Sequence, residues 1–124
     1  MSWRNKYGNH KVMSDDGQGF DSKKERNRFY DLCMLQRAGE IYDLQTQVKF
    51  LLIPTQREPD AVGLHGGIKK GKVIEQECSY YADFVYYTKD GVRVVEDTKG
   101  VKTPDYKIKR KLMLWIHGVR IQEI

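Results

Sequence analysis

A single α/β (α+β) domain is the fold class this sequence predicts, and three observations carry it. A stretch with helical period runs from Ser22 to Gly39, and a second helix starts sharply at Thr103-Pro104-Asp105. Between and after them lie runs that read as strands: one around Val48 to Leu52, YYADFVYY at 80–87, VRVVEDTK at 92–99 and VRIQEI at 119–124. The order is helix, strand, strand, strand, helix, strand. At 124 residues with 40% hydrophobic content, the chain has room for one core and not for two.

Residues 1–20 show no helical period. They interleave Trp3, Tyr7 and Phe20 with Arg4, Lys6 and Lys11, and carry a turn signal at Asp15-Asp16-Gly17. The expectation is a basic, aromatic arm or short hairpin, suited to phosphate contact and base stacking; a tail packing an aromatic or two on the body is the alternative. The domain proper is expected over 21–124.

In the first helix Asp21 or Ser22 is the cap, Phe29, Leu32, Cys33 and Leu35 form the buried stripe, and Gly39 gives the left-handed stop. Glu25 lies four residues before Phe29 and seven before Leu32, on the stripe that faces the core. An acid there needs a partner. Ser22-x-x-Glu25 has capping-box spacing, in which the glutamate reaches back to the Ser22 amide; the other reading points Glu25 at a functional site. Spacing leaves both open.

After Gly39 come a turn and a strand with Val48, Phe50 and Leu52 on one face and Pro54 closing it; Gln45 and Gln47 are assigned no chemistry. Residues 55–72 mix proline, glycine and charge without period and are expected as a long loop or flexible hairpin tip, with Lys69 and Lys70 available to a nucleic-acid backbone. A bend is expected near 77–79. In the second helix Thr103 is the cap, Pro104 the first residue, Gly118 the stop, and Ile108, Leu112, Trp115 and Ile116 are expected inward. Its other side and first turns carry Lys102, Lys107, Lys109 and Arg110, fit either to track a phosphate backbone or simply to be solvated.

The chemistry concentrates in 80–100. Strand side chains alternate, so Asp97 and Lys99 point to one face, and a hairpin turning at Lys89-Asp90-Gly91 lets Asp83 approach Asp97. Two carboxylates on neighbouring strands can grip one hard divalent cation through oxygen, with a lysine beside it. Glu96 faces the other way, with Val94 and Thr98, where a base in the sheet or a helix lysine is its expected partner. Asp83 followed by Asp97-Thr98-Lys99 resembles the PD-(D/E)XK nuclease superfamily, although Ala82 stands where that pattern has proline and the second acid is Asp. The element order is also that of the superfamily core, a mixed central sheet flanked by helices. KYGN at 6–9, FDSKKE at 20–25, AGEI at 38–41, QVKFLLIP, YYADFVY, VVEDTKG and YKIKRKL together resemble a phage and prophage family of small proteins grouped with those nucleases, near phage endonuclease I and Holliday-junction resolvases.

The resemblance implies a metal-dependent endodeoxyribonuclease with Glu25, Asp83, Asp97 and Lys99 as active-site residues. Asp83, Asp97, the Thr98 carbonyl and Glu25 would hold Mg²⁺ or Mn²⁺. It also implies DNA as partner, branched or duplex, a homodimer for two-strand cutting, no nucleotide cofactor, and a place in the host cytoplasm. Two other classes stay open: a nuclease fold that binds DNA without cutting it, as a replication or recombination accessory, and a structural or interaction module whose basic surface meets an acidic protein.

Composition agrees with a polyanionic partner. The formal net charge is +5, leaning on the amino-terminal arm and on 102–111. Cys33 and Cys78 have no CxxC spacing, so neither a zinc site nor a disulfide is expected. No segment reaches the apolar length of a membrane span.

Overall fold

The computed structural model of the protein describes residues 12–13, 19–20 and 22–124. Strands β1 (Val12–Met13) and β2 (Gly19–Phe20) pair antiparallel. Arg4, Lys6, Lys11 and the Asp15-Asp16-Gly17 turn lie outside the described residues.

Helix α1 (Lys23–Arg37) starts where Ser22, in extended backbone, accepts a hydrogen bond from the Glu25 amide at 3.1 Å. It ends with Gly39 at φ 77°. Leu32 is fully buried and Glu25 nearly so, while Leu35 is exposed, contrary to its expected place in the stripe. The cause is helical period: from Glu25, Phe29 and Leu32 the line continues through Gln36, and Leu35 falls about a fifth of a turn aside. Gln36 uses that position to accept a hydrogen bond from the Leu44 amide at 2.8 Å.

Strand β3 (Ile41–Ile53) begins well before Val48. Two of its non-glycine residues, Asp43 (φ 55°) and Gln47 (φ 51°), are left-handed, a conformation that breaks a regular pleat. Ile41 is buried, and beyond Asp43 the phase shifts so that Phe50 and Leu52 are buried.

Residues 55–72 take the hairpin form of the two expected, held by short antiparallel pairs. Strand β4 (Gln56–Arg57) pairs antiparallel with β7 (Val73–Glu75), and β5 (Ala61–Val62) with β6 (Ile68–Lys69). Gly71 is required at its base, because a Cβ there would meet the Glu58 carbonyl oxygen at 1.8 Å. The Glu58 amide donates to Lys72 O at 2.8 Å and the Gly71 amide to Asp60 Oδ1 at 3.0 Å.

After a break at 76–77 come β8 (Cys78–Thr88) and β9 (Arg93–Asp97), antiparallel in the register Phe84 to Glu96 and Val85 to Val95. Gly91 (φ 80°) closes the turn, its amide donating to Thr88 O. Strand β9 stops at Asp97, two residues short of the expected Lys99, because the Thr98 amide turns to the Asp83 carboxylate instead of a strand partner.

Helix α2 (Pro104–His117) has the expected ends, with Thr103 accepting from the Tyr106 amide and Gly118 at φ 65°. Its inward face is a different one. Tyr106 and Met113 are buried, whereas Ile108, Trp115 and Ile116 are exposed, Trp115 at 87%. Arg110 lies one turn after Tyr106 on that face and is half-buried, its guanidinium 5.9 Å from the Tyr106 ring centroid. Strand β10 (Gln122–Glu123) runs parallel to β9.

The central sheet has the order β10-β9-β8-β3 and is mixed, so with its two helices the fold is α+β. Contacts cluster into two units, one of Met1–Val48, Ala82–Lys102 and Ile121–Ile124, the other of Lys49–Tyr81 and Thr103–Arg120. The first has a core of Leu32, Ile41, Phe84 and Tyr86 with Phe29, Leu44 and Val94 packed on it. Each fully buried side chain there contributes about 1.5–3 kcal/mol. The second buries Phe50, Leu52, Tyr80, Tyr106, Met113 and Val119. Among the described residues no helix is long and apolar enough to cross a membrane. Cys33 and Cys78 are half-buried and form no disulfide.

Candidate functional site

Within the first unit, local structure brings side chains from four separate segments to one place. The cap at Ser22 sets the phase of α1, and that phase turns Glu25 inward to 3% exposure. On β8, Asp83 stands one step beyond the Phe84 to Glu96 pair, so the antiparallel register carries it opposite Asp97. There the chain leaves β9, and Thr98 donates to Asp83 Oδ2 through both its amide and its hydroxyl, each at 2.8 Å. From β3, Gln47 closes the group: its Nε2 donates to Glu25 Oε1 at 2.9 Å and to Asp83 Oδ1 at 3.2 Å.

Two acids far apart in sequence thus share one amide nitrogen. Their oxygens are no farther apart than two hydrogen bonds laid end to end. Gln47, exposed and left-handed, is the residue that sequence reasoning passed over. A left-handed backbone in a glutamine costs of order 1 kcal/mol or more and persists only where its surroundings enforce it. Nothing in the local sequence signals it, since no Gly or Asn marks the position. The glutamate's capping role is shared out: its amide serves the Ser22 cap while its carboxylate goes to Gln47.

The remaining expected site residues follow directly. Asp97 is 2% exposed, and its carbonyl accepts from the Ile124 amide at 2.9 Å. Thr98 turns its amide and hydroxyl to Asp83. Lys99 is exposed just past the end of β9. Among the described residues no three His, Cys, Asp or Glu side chains are grouped to hold one metal ion. The donor chemistry at Gln47 nonetheless fits a hard divalent cation: Glu25 and Asp83 offer oxygen alone, converge on a single atom, and belong to the ligand class that Mg²⁺ and Mn²⁺ prefer.

One turn along α1 from Glu25, Arg28 meets a second buried acid, Glu96 of β9. Arg28 makes two hydrogen bonds to Glu96, Nε to Oε1 at 2.8 Å and Nη2 to Oε2 at 2.7 Å, and the Tyr86 hydroxyl donates to Oε2 as well. Glu96 is 1% exposed. Its hydrogen bonds hold the Arg28 guanidinium well above its ordinary value. Burial, and then the bond to Glu96, push the Tyr86 phenol up to about 12. Both Glu96 oxygens are engaged, and the pair clamps α1 to the sheet beside Glu25. The partner of Glu96 thus comes from a helix, but it is an arginine and not the lysine expected.

The expected nucleic-acid contacts are dispersed. Lys102 reaches Glu123 at 3.4 Å, and Lys107 is exposed on α2. Lys69 and Lys70 are exposed on the hairpin. Within the second unit, Lys109 joins Lys49, Glu77, Cys78, Ser79 and Tyr81 in lining an open depression of about 430 Å³. There Lys49 and Glu77 pair at 3.0 Å, which raises the lysine and lowers the glutamate from their ordinary values.

The family model described as "Protein of unknown function (DUF1064)" matches residues 4–120, and the chain belongs to that family. No curated protein and no solved structure matches it.

Proposed function

We propose that this protein is a metal-dependent endodeoxyribonuclease of the PD-(D/E)XK type, selective for branched DNA in the manner of a Holliday-junction resolvase. One observation carries the reading: Glu25 of α1 and Asp83 of β8 converge on a single Gln47 nitrogen, with Asp97 and Lys99 at the adjoining strand end. The resemblance to a phage family, and the helix, three-strand, helix, strand order of the main elements, support it.

Glu25 and Asp83 would hold Mg²⁺ or Mn²⁺, which when bound supplies Lewis-acid activation of a phosphodiester and of an attacking water. The rest belongs to the chain. Thr98 fixes the orientation of the Asp83 carboxylate through two donors, and the Arg28 clamp holds the helix that carries Glu25. The Lys99 ammonium offsets charge that builds on the phosphate in the transition state. Lys69, Lys70, Lys102, Lys107, Lys109 and Arg110 supply backbone contacts, with Arg4, Lys6 and Lys11 of the arm. Cutting two strands of a junction takes two such sites, so the working form is a homodimer.

The test is cleavage of labelled four-way junction, flap, single-stranded and linear duplex DNA in Mg²⁺, Mn²⁺ or EDTA. Paired cuts near the junction, abolished by EDTA and in Asp83→Asn, are expected. Cutting of another substrate keeps the chemistry and changes the biology. Salt-sensitive binding without cutting in either metal would replace the enzyme with a DNA-binding accessory protein.

A further inference from the structure

The residue of this cluster to which the resemblance gives no role is Gln47. Three features single it out. Its side chain touches both acids, through one nitrogen at 2.9 and 3.2 Å. Its backbone is left-handed in the middle of a long strand. And it is exposed, whereas Glu25 beneath it is buried, so the amide lies on the solvent side of the glutamate.

An ionised carboxylate only accepts hydrogen bonds, so the face that Gln47 turns to Glu25 and Asp83 is its NH₂. The same amide carries a carbonyl oxygen on the other side. The torsion that exchanges them is the terminal χ3, which is broad and roughly two-fold, so half a turn about one bond replaces the nitrogen by Oε1 without moving the backbone. Nitrogen bearing two hydrogens repels a cation. Amide oxygen is a hard, neutral ligand of the kind that divalent ions accept beside carboxylates.

We infer that Gln47 is a two-state ligand: its amide nitrogen holds Glu25 and Asp83 together when no ion is bound, and its amide oxygen becomes a third protein ligand when a divalent cation takes the position between them. The inference rests on the metal-site reading above. It explains the left-handed backbone, which roots the side chain where either end of the amide reaches the same point. It also assigns Gln47 a double effect on affinity, since the amide keeps two negative groups gathered before the ion arrives and contributes an oxygen after.

Calorimetric titration of the purified full chain with Mn²⁺ alone tests this, without DNA and without turnover. Gln47→Asn keeps an amide and favours the left-handed backbone but falls one methylene short; Gln47→Gly accepts that backbone with no side chain at all. Both changes take a donor from the buried Glu25 and are expected to lower the melting temperature without unfolding the chain at 25 °C, which circular dichroism and thermal melting check. Both are expected to weaken Mn²⁺ binding by about tenfold or more, the loss typical when a group that orients metal ligands is removed. Gln47→Glu supplies an anionic oxygen at the same reach and is expected to bind Mn²⁺ at least as tightly as the natural chain, with a larger rise in melting temperature on adding the ion.

Unchanged affinity in the Asn and Gly variants would overturn the role given to Gln47 and leave the metal site standing. A Glu variant as weak as the Asn variant would do the same. If the natural chain and Asp83→Asn alike take up no Mn²⁺, the metal-site reading falls, and the ligand role of Gln47 falls with it.

Discussion

Asp83 and Glu96 are carboxylates on adjacent strands of one sheet, each close to the same helix, yet their surroundings differ in kind. Glu96 is met by a guanidinium on two oxygens and by a phenol. Asp83, among the described residues, is met only by neutral donors: the Gln47 amide, the Thr98 amide and the Thr98 hydroxyl. The first arrangement neutralises the acid where it is buried and uses it as a clamp. The second orients the acid without cancelling its charge, which leaves that charge available to a cation. Adjacent strands thus neutralise the same functional group with a counter-charge in one place and leave it to neutral donors in the other. A nearly buried acid is therefore not by itself a sign of a functional site; the charge of its partners decides.

Arg28→Ala probes the assembly half, and the largest effect is expected there. It strands Glu96 in the core without its counter-charge, a loss of about 3–5 kcal/mol in comparable buried pairs, with the lower end apt because the Arg28 side chain is a quarter exposed. Urea denaturation measures it. Arg28→Met combined with Glu96→Leu removes both charges and is expected to recover most of the stability. A small loss in Arg28→Ala alone would mean that the clamp is dispensable and the contrast between the two acids is one of geometry only.

On the chemistry half, Lys99→Ala is expected to leave stability, Mn²⁺ uptake and DNA affinity nearly unchanged while cleavage falls by about 10²–10³, the usual effect of removing one transition-state charge donor. Single-turnover cleavage beside a DNA-binding titration separates the two quantities. Cleavage at the natural rate in this variant would sink the role given to Lys99 and shift the electrostatic burden to the protein's other cations.

Legibility in the sequence followed the range of the interactions. Local rules sufficed for the Ser22 cap, the Gly39 and Gly118 stops, the Thr103-Pro104 start and the break before Cys78, because each is decided within a few residues. The placement of Glu25 on the inner line of α1 was also legible, being a matter of period alone. What escaped depends on distant partners. Alternation turned Glu96 away from Asp97 and pointed to a sheet base or a helix lysine as its partner, but only the docking of α1 chooses Arg28, 68 residues earlier. Gln47 was invisible because its role requires a left-handed residue inside a strand, for which glutamine carries no propensity. The inner face of α2 was misread because Trp115 and Ile108 weigh heavily in any apolar pattern, while Tyr106 and an aromatic-bound Arg110 do not.

The smallest effect expected lies in the phenol of the clamp, and it tests whether Glu96 is as fully engaged as the contrast with Asp83 requires. Burial, and then the bond that Tyr86 donates to Glu96 with the repulsion a phenolate would meet there, raise its pKa from 10.0 to about 12. Between those values the unfolded chain has released the proton that the folded chain keeps, so the unfolded state binds fewer protons and stability falls with rising pH. The contribution is whole below pH 10 and declines as pH rises through about 12. Other tyrosines and the lysines titrate in the same window, so the quantity to measure is the stability difference between the natural chain and Tyr86→Phe, in which those groups cancel. At neutral pH the loss of one hydrogen bond to a charged acceptor predicts a difference of about 1.5–3 kcal/mol, and that difference should shrink towards zero near pH 12. A difference that stays constant with pH would mean that the phenol does not donate to Glu96, leaving Arg28 as the only neutralising partner of the acid.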